Sequence, residues 1–304
     1  MSKYISLTRR NCMVFLRDRS AVFFSLLSML IVLMLMGVFL GNMNVESITG
    51  MLAQYGGERD AALDKENATH LVQYWTLAGL MVVNALTVTL SVIGIMVTDA
   101  NENKLESFYG APVHRNIIAL SYISAAVMIG MLFCMLTLGI ALGYISATGG
   151  QMLSAGVLVQ IFGYTLMNVI IFAIIMYMLA LFVKSSSAWG GIATVIGTLV
   201  GFVGAIYLPM GNLPSGVANV LKYIPVLHGT SLMRKVCCEE AIQTTFADMP
   251  KELIAGYKEF MGITVKMGEK EAGDAFQMLF LALCGVIAFA VVVIIGKRKS
   301  ISDR

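Results

Sequence analysis

Long apolar runs, separated by short polar breaks, dominate the hydrophobic pattern of this chain. Between Asn116 and Val183 the sequence contains no Asp, Glu, Lys or Arg. A run of that length suffices for two crossings of a bilayer, each of which needs about 20 apolar residues. The runs lack the period-two alternation that strands of a membrane barrel show. The pattern therefore predicts helices that span a membrane.

Six charge-free runs are long enough to cross a bilayer as helices, in which the backbone groups bond internally. Gly149 and Gly150 break the longest run in two, and Lys184 with the serines after it separates span four from span five. The predicted spans are residues 21–40, 71–97, 116–144, 152–183, 188–208 and 275–296. The predicted fold is an all-α membrane protein: an N-terminal interfacial helix (1–20) and a domain (21–304) with six transmembrane helices and an outer re-entrant helical pair after span five.

Basic residues indicate the orientation of these spans, because cytoplasmic loops carry an excess of Lys and Arg. Such residues lie before span one, between spans two and three and after span six: Arg9, Arg10, Arg17, Arg19, Lys104, Arg115, Lys297, Arg298 and Lys299. The first loop on the other side, between spans one and two, is mainly acidic. We therefore expect a multi-pass protein with both termini in the cytoplasm.

Composition narrows the possible functions. Charged residues make up 13% of the chain, against about 25% in soluble domains. The net charge of +3 and the scatter of the basic residues give no reason to expect nucleic acid as a partner. Phosphate-loop, GxSxG and HExxH motifs are missing, and the five cysteines lack metal-ligand spacing. We therefore expect no catalytic residue, no metal and no cofactor in this chain.

The predicted spans also bear on the source of energy. None of them contains Asp, Glu, Lys or Arg, whereas an ion-coupled carrier usually places an ionisable residue within a span. If the protein moves a substrate against a gradient, the energy is therefore expected to come from another subunit.

The predicted cytoplasmic loop 99–115 reads DANENKLESFYGAPVHR and combines charge with an apolar face. Its first part suits a short amphipathic helix, built from Glu102, Lys104, Leu105, Glu106, Phe108 and Tyr109. Gly110 and Pro112 would end that helix. An ordinary connecting loop needs no apolar face of this kind, so we predict that the loop docks on a cytosolic partner.

Two spans carry polar or small residues along one helical face. In span two these residues fall within about 80° of one another on a helix, and they are Gln73, Thr76, Asn84, Thr87, Ser91 and Thr98. In span five they are Gly190, Thr194, Gly197, Gly201 and Gly204. Hydrocarbon would leave hydroxyl and amide groups unpaired, so the polar face must contact protein or water. Helix packing and the lining of a translocation path both explain these faces.

The N-terminal segment alternates arginines with apolar residues. Arg9, Arg10, Arg17 and Arg19 would suit a cationic helix that lies on the inner membrane surface and contacts anionic lipid. Simple anchoring of span one by positive charge explains the same arginines equally well.

Proline interrupts the segment after span five. Pro209, Pro214 and Pro225 fall within or beside the nearly uncharged residues 208–230, and proline breaks helices. We therefore predict a broken, re-entrant helical pair. Residues 231–274 have charges of alternating sign, which suggests a small external helical cap, with a solvated loop as the alternative. The adjacent Cys237 and Cys238 are expected to be external.

Three stretches of the chain, taken in order, resemble the type-2 permeases of bacterial ATP-binding-cassette exporters. They read LTRRNCMVFLRDRSAVFFSLL, ENKLESFYGAPVHR and GAIYLPMGNLPSGVANVLKYIPVLHGTSLMR. Together with the number and order of the spans, the likeness covers nearly the whole chain. The external segment 231–274 is longer than the minimal pattern of the family.

The resemblance implies a half-transporter in the bacterial plasma membrane. It would pair with a second copy or a homologous permease, and with two cytosolic ATPase subunits that hold ATP and Mg. The loop would be the coupling helix, carried by Glu102, Lys104, Leu105, Glu106 and Arg115. Spans two and five would line the path at the dimer interface with Asn84, Thr87, Ser91, Thr194, Gly197 and Gly201. The outer gate would lie around Pro209, Pro214 and Pro225, and the N-terminal helix would be the connecting helix.

The hypothesis is therefore a permease subunit of an ATP-driven exporter. A motor-independent channel or carrier, with the polar face of span two as its pore, is the alternative. A membrane-embedded enzyme is disfavoured because the spans lack acid, base or metal clusters. The aromatic residues of span two, Tyr74 and Trp75, lie at its outer end, and none lies deeper in the span. Carbohydrate exporters often stack sugars on aromatic rings, so this position favours hydrophobic cargo.

Overall fold

The computed structural model describes residues 2–35, 41–57, 59–105, 113–268 and 270–302, and most of them lie in helices. The helices are α1 (Ser2–Arg17), α2 (Arg19–Leu35), α3 (Gly41–Tyr55), α4 (Ala61–Asn101), α5 (Arg115–Ala147), α6 (Ala155–Ala180), α7 (Ser186–Val203), α8 (Ser215–Leu221), α9 (Pro225–Thr245), α10 (Lys251–Phe260) and α11 (Asp274–Ser302). A 3-10 turn, Met210–Asn212, precedes α8. Two short antiparallel strands, β1 (Lys266–Met267) and β2 (Lys270–Glu271), precede α11. The predicted all-α class is confirmed.

Among the described residues, five helices are long and apolar enough to cross a membrane: α4, α5, α6, α7 and the part of α11 from Asp274 to Gly296. They correspond to predicted spans two to six. α2 covers the first part of predicted span one, and residues 36–40 lie outside the described ranges. The count of six spans is therefore not confirmed.

α4 is the central helix of the fold. Its 41 residues extend about 60 Å, about twice the thickness of a bilayer core. Asp60 caps the first turn, because its side chain accepts hydrogen bonds from the backbone N–H groups of Ala62 and Leu63. No proline interrupts the sequence of α4. α5, α6, α7 and α9 pack around its middle and bury it. The helix is continuous, so it joins the two ends of the bundle.

α7 runs antiparallel to α4, and two glycines of α4 let the helices approach. A Cβ on Gly94 would lie 2.8 Å from Nε1 of Trp189, near the start of α7. A Cβ on Gly79 would lie 2.8 Å from Ile206, just after the end of α7. Trp189 and Ile206 are both buried. The pair of helices is therefore fixed near both of its ends.

Both chain ends lie at the same end of the bundle. α1 contacts the last turn of α4 through the ion pair of Arg10 with Asp99. Gly296 of α11 lies beside the start of α5, since a Cβ there would be 3.6 Å from Oδ1 of Asn116. We call this the termini end, and we call the opposite end, which carries α8, α10 and the strands, the cap end.

Residues 231–274 form most of α9, all of α10 and the strand pair, and they end at the first residue of α11. Arg59 fastens them to the start of α4, because its guanidinium pairs with Asp64 (2.9 Å) and donates to the carbonyl oxygen of Ala247 (2.9 Å). α9 continues through residues 230 and 231, where the sequence suggested a change from a re-entrant segment to a cap.

The two adjacent cysteines lie on the inner side of α9. Cys237 is 1% exposed and Cys238 is 0% exposed. Neither thiol is therefore accessible to a partner, and their expected place on the outer side of the membrane stays a prediction. The thiols are buried because α9 packs against α4, α6 and α11, so a helix with several charged residues still buries one face.

Candidate functional site

The loop that is predicted to dock on a partner begins at the last turn of α4. Glu102, Asn103 and Lys104 are exposed, and the Lys104 ammonium pairs with the Glu102 carboxylate. Asn103 has a positive φ of 59°, which turns the chain out of the helix. Leu105 is 8% exposed and packs in the core, so this apolar residue faces its own protomer. The accessible part of the described loop is therefore mainly polar and includes one acidic and one basic side chain.

Two other residues of the predicted docking set lie farther along the loop. Glu106 falls outside the described residues. Arg115 is the first residue of α5 and is half-buried. The loop thus connects α4 with α5, and these helices pack against each other. A force on the loop would act on two spans at once.

A buried polar cluster joins α1 to both helices beside this loop. Arg10 pairs with Asp99, with 2.9 Å between Nη2 and Oδ1. The hydroxyl of Tyr122 in α5 donates to Oδ2 of the same carboxylate at 2.6 Å. Asp99 and Tyr122 are each 2% exposed. We call Arg10, Asp99 and Tyr122 the Asp99 cluster.

The Asp99 cluster was not predicted from the sequence. Asp99 is the first charged residue after the apolar run of span two, and it was therefore assigned to the loop. α4 continues to Asn101, so Asp99 lies within the helix and faces α1. Hydrogen bonds to the Asp99 carboxylate raise the pKa of Arg10, which keeps its guanidinium charged. The two partners are 89 residues apart, and no local pattern reveals such a pair.

α1 places its arginines in two environments. Arg10 faces α4, whereas Arg9 and Arg17 are exposed, as is Arg19 at the start of α2. The inner side of α1 carries Phe15, whose ring meets Phe133 of α5 edge-on with 6.0 Å between centroids. α1 therefore packs on the bundle along one face and exposes a cationic face. Contact of that face with lipid stays a prediction.

The polar face of α4 has a packed part and an open part. Asn84 is 5% exposed, and its amide donates to Oγ1 of Thr137 in α5 at 2.7 Å. Thr87 is half-buried and Ser91 is exposed, and each hydroxyl donates to a carbonyl oxygen one turn earlier in α4. Helix packing accounts for Asn84 in this protomer. Thr87 and Ser91 are the residues that a path could still reach.

The glycine face of α7 is divided in the same way. Thr194 is exposed, and a Cβ on Gly197 would meet no atom within 4 Å. Gly201 is buried, and a Cβ there would lie 2.2 Å from the ring of Tyr207, which folds back over α7. Gly201 thus makes room for an aromatic ring, whereas Thr194 and Gly197 face open space.

The open residues of α4 and α7 lie at the same depth in the bundle. The antiparallel helices are fixed where Gly94 meets Trp189 and where Gly79 meets Ile206. Counting inward from these contacts at about 1.5 Å per residue places Ser91 near the level of Thr194, and Thr87 near that of Gly197. We call these four residues, which lie at similar depth on two packed helices, the open patch, and their role in translocation stays a prediction.

The prolines of the predicted outer gate lie at the cap end. Pro209 precedes the 3-10 turn, and Pro214 precedes α8. Pro225 is the first residue of α9. A backbone N–H at this position has no partner within the helix, so proline, which lacks it, costs no hydrogen bond there. The segment after α7 is therefore broken into short pieces at these residues. Its re-entry into a membrane and its action as a gate stay predictions.

A buried arginine fastens these pieces to α4. Arg234 of α9 is 0% exposed, and its guanidinium lies 4.2 Å from the ring centroid of Trp75 in α4. It donates to the carbonyl oxygens of Ala205 (2.7 Å), Met261 (3.1 Å) and Gly262 (3.3 Å). Trp75 also donates from Nε1 to Met261 (2.9 Å). We call Arg234, Trp75 and these carbonyl groups the Arg234 clasp.

The Arg234 clasp holds a positive charge without an ion pair in the described part of the chain. Burial lowers the pKa of Arg234 to about 9, which still lies above neutral pH, so the guanidinium stays charged. The ring face of Trp75 and the carbonyl dipoles replace its water. Ala205 has a φ of 51°, which is unusual for a residue with a Cβ, and the clasp holds the carbonyl group of this turn.

One comparison with known proteins identifies the family. A sequence model described as ABC-2 family transporter protein matches residues 40–295. The chain belongs to this family. The matched region includes α4, the loop after it, α7 and the Arg234 clasp, whereas α1 and α2 precede it. No curated protein is similar enough to the chain to count as a match.

Membership of the ABC-2 transporter family confirms the resemblance to type-2 permeases that the three sequence stretches indicated. A permease of this family is a membrane component that works with an ATP-binding subunit. The multi-pass membrane character expected from the apolar runs agrees with the family and with the five described helices that could span a bilayer.

Proposed function

We propose that this ABC-2 family permease is the transmembrane subunit of an ATP-driven exporter. The observation that carries the proposal is α4, which runs unbroken from the exposed loop at the termini end to Trp75 at the cap end. Thr87 and Ser91 lie between these points. Movement of the loop by a partner would therefore reach the open patch and the cap through one stiff helix. ATP and Mg would be held by the partner ATPase, and this chain would have no nucleotide site of its own.

Docking of the ATPase would use the charged part of the loop. Glu102 and Lys104 are exposed, and Glu106 and Arg115 of the same loop are proposed to take part in docking. Charged contacts of this kind set the register of two subunits and can be broken and re-formed. Leu105 would support the loop from inside, since it is buried in the permease.

The translocation path would lie where two permeases meet. One protomer leaves Ser91 and Thr194 of the open patch exposed and covers Thr87 and Gly197 only in part, and small residues let helices approach closely. A second copy or a homologous permease would cover it. Tyr74 and Trp75 are buried within the fold, so neither is free to stack on a sugar ring. This supports hydrophobic or amphiphilic cargo.

The termini end would face the cytoplasm of a bacterium, and the cap end would face outward. The exposed Arg9, Arg17 and Arg19 would then lie at the inner leaflet of the plasma membrane, where anionic headgroups attract basic residues. The prolines at the cap end would lie around the outer gate. ATP closure of the motor subunits would move the loop, tilt α4 against α7 and open that gate.

Affinity purification from the native host in mild detergent, followed by mass spectrometry and an ATPase assay, tests this proposal. We expect a stoichiometric ATPase subunit with the wild-type chain, and its loss when Lys104→Glu is combined with Glu106→Lys. Lys251→Glu, an exposed charge reversal on α10 at the cap end, is the control and should retain the ATPase. A chain that arrives alone and conducts ions in liposomes without ATP would instead support the channel.

A further inference from the structure

The loop after α4 is flanked by two residues that belong to one cluster. Asp99 lies in the last turn of α4, just before the chain leaves the helix, and Tyr122 follows the start of α5 by about two turns. Both contact each other through the Asp99 carboxylate, and Arg10 of α1 binds that same carboxylate. α1 is therefore connected to the helices on both sides of the loop.

The geometry of the contact fixes orientation as well as distance. Both terminal nitrogens of Arg10 reach the two carboxylate oxygens of Asp99, with 2.9 Å between Nη2 and Oδ1. A planar guanidinium fork that binds a carboxylate in this way resists rotation, whereas a lysine ammonium would act as a point contact. The last turn of α4 therefore cannot rotate without moving α1.

Anchoring alone does not explain why the chain buries charge here. The side chain of Asp99 is 3% exposed and that of Arg10 is 30% exposed. Replacing a buried ion pair by apolar residues of similar volume is often neutral or stabilising. An apolar anchor also exists, since Phe15 packs on Phe133. The ion pair therefore adds orientation, which apolar packing provides only weakly.

α1 passes into α2 with little interruption. The backbone N–H of Asp18 donates to the carbonyl oxygen of Phe15 (3.1 Å), and that of Val22 donates to the carbonyl oxygen of Asp18 (3.0 Å). The Asp18 side chain also accepts from the N–H of Ala21 (3.0 Å), which caps α2. α2 in turn packs against α4. A rotation of α1 would thus be passed to the helix that begins the first apolar run.

We propose that Arg10 is a positioning residue that transmits movement of the coupling loop into α1 and α2. The Asp99 cluster would make the N-terminal helix pair move together with α4 when the ATPase moves the loop. This proposal rests on the proposed function, because it needs a partner that moves the loop. It assigns a mechanical role to α1 and α2, which precede the region matched by the family.

Hydrogen–deuterium exchange on the permease–ATPase complex tests the proposal without knowledge of the cargo. Exchange is compared before and after the ATPase is trapped with ADP and vanadate. In the wild type we expect exchange to change both in residues 99–115 and in residues 2–35. In the triple variant Arg10→Met/Asp99→Leu/Tyr122→Phe, which replaces the cluster by apolar groups, the response of 99–115 should persist and that of 2–35 should be lost.

Tyr4→Phe is the matched control. Tyr4 also joins α1 to α5, through a 2.6 Å hydrogen bond to Ser124, but it does not reach Asp99. This variant should keep both responses, because it loosens α1 without removing the fork. Arg10→Lys keeps the charge but not the fork, so it should weaken the change in exchange of residues 2–35. If the triple variant does not assemble, this variant tests the role of Arg10 in its place.

The outcomes separate this proposal from the proposed function. A wild-type complex that responds in 99–115 but not in 2–35 overturns the role of Arg10 and leaves the exporter intact. The same holds if the triple variant keeps the full response of 2–35. A wild-type chain that binds no ATPase overturns the proposed function, and the role of Arg10 with it.

Discussion

Arginines hold α4 near both of its ends, but they bind partners of different kinds. At the termini end, Arg10 binds the side-chain carboxylate of Asp99 and remains 30% exposed. At the cap end, Arg234 binds backbone carbonyl groups and the face of Trp75, and it is 0% exposed. The first contact joins two side chains, whereas the second joins a side chain to the backbone.

This difference determines how replaceable each contact is. A pair of side chains can be exchanged as a unit, because both partners can become apolar together. Backbone carbonyls cannot be removed by substitution, so the turn at Ala205 and the loop at Gly262 keep needing a donor. The oriented pair of side chains at the termini end suits a contact that passes movement from α4 to α1. The sealed clasp at the cap end suits a contact that stays closed.

The largest effect that we expect comes from Arg234→Met. The carbonyl groups of Ala205 and Gly262 would lose this donor, so the free energy of unfolding should fall by about 3–5 kcal/mol. Thermal unfolding can be followed with a thiol-reactive dye, since Cys237 and Cys238 are buried until the protein opens. Lys235→Met is the control, because the ion pairs of this neighbour have exposed acidic partners and should contribute about 1 kcal/mol or less. Equal stability of the two variants would contradict the comparison.

At the termini end, removing Arg10 alone should destabilise the protein more than replacing the whole Asp99 cluster by apolar residues. Arg10→Ala leaves the Asp99 carboxylate buried with the Tyr122 hydroxyl as a donor, and it should lower the free energy of unfolding by about 3 kcal/mol. Arg10→Met/Asp99→Leu/Tyr122→Phe should recover most of that loss, because no buried charge remains. The same dye measures both. If the triple variant is no more stable than Arg10→Ala, the side-chain cluster is not replaceable as a unit.

The elements that local patterns specify could be predicted from the sequence. Charge-free runs located the helices that became α4 to α7 and α11, since about 20 apolar residues suffice for a span. Prolines marked the breaks after α7, because each one restricts its own backbone and removes a donor. These signals act over a few residues and need no knowledge of distant contacts.

The contacts at the two ends of α4 could not be predicted, because their partners are far apart in the chain. Arg234 stands next to Lys235 and was interpreted as part of a charged external segment. In the structure, the first is buried on α4 and the second is half-buried beside acidic residues. Leu105 was assigned to a docking face for a similar reason. Amphipathicity identifies an apolar face, but it does not say whether that face meets a partner or its own protomer.

Two glycines of α7 should differ in how much a substitution by alanine lowers the free energy of unfolding. Gly201→Ala would place a Cβ 2.2 Å from the ring of Tyr207, and displacing the ring should cost about 1–3 kcal/mol. Gly197→Ala meets no atom within 4 Å, so it should be neutral or slightly stabilising, by about 1 kcal/mol at most. Thermal unfolding of the purified permease compares them. Equal losses of stability for the two variants would mean that this face of α7 is packed alike at Gly197 and at Gly201.

The smallest effect on stability, and the sharpest test of the open patch, comes from cysteine substitutions on α4. Ser91→Cys should change the free energy of unfolding by about 0.5 kcal/mol or less, because Ser91 is exposed and its hydroxyl bonds within its own helix. Asn84→Cys should cost about 1 kcal/mol, since it breaks a buried hydrogen bond between helices. A small, water-soluble thiol reagent, applied to the assembled transporter and read by mass spectrometry at each site, should label Ser91→Cys and leave Asn84→Cys unmodified. Labelling at neither position would mean that packing against the second permease seals the whole polar face, and the path would then have to run elsewhere.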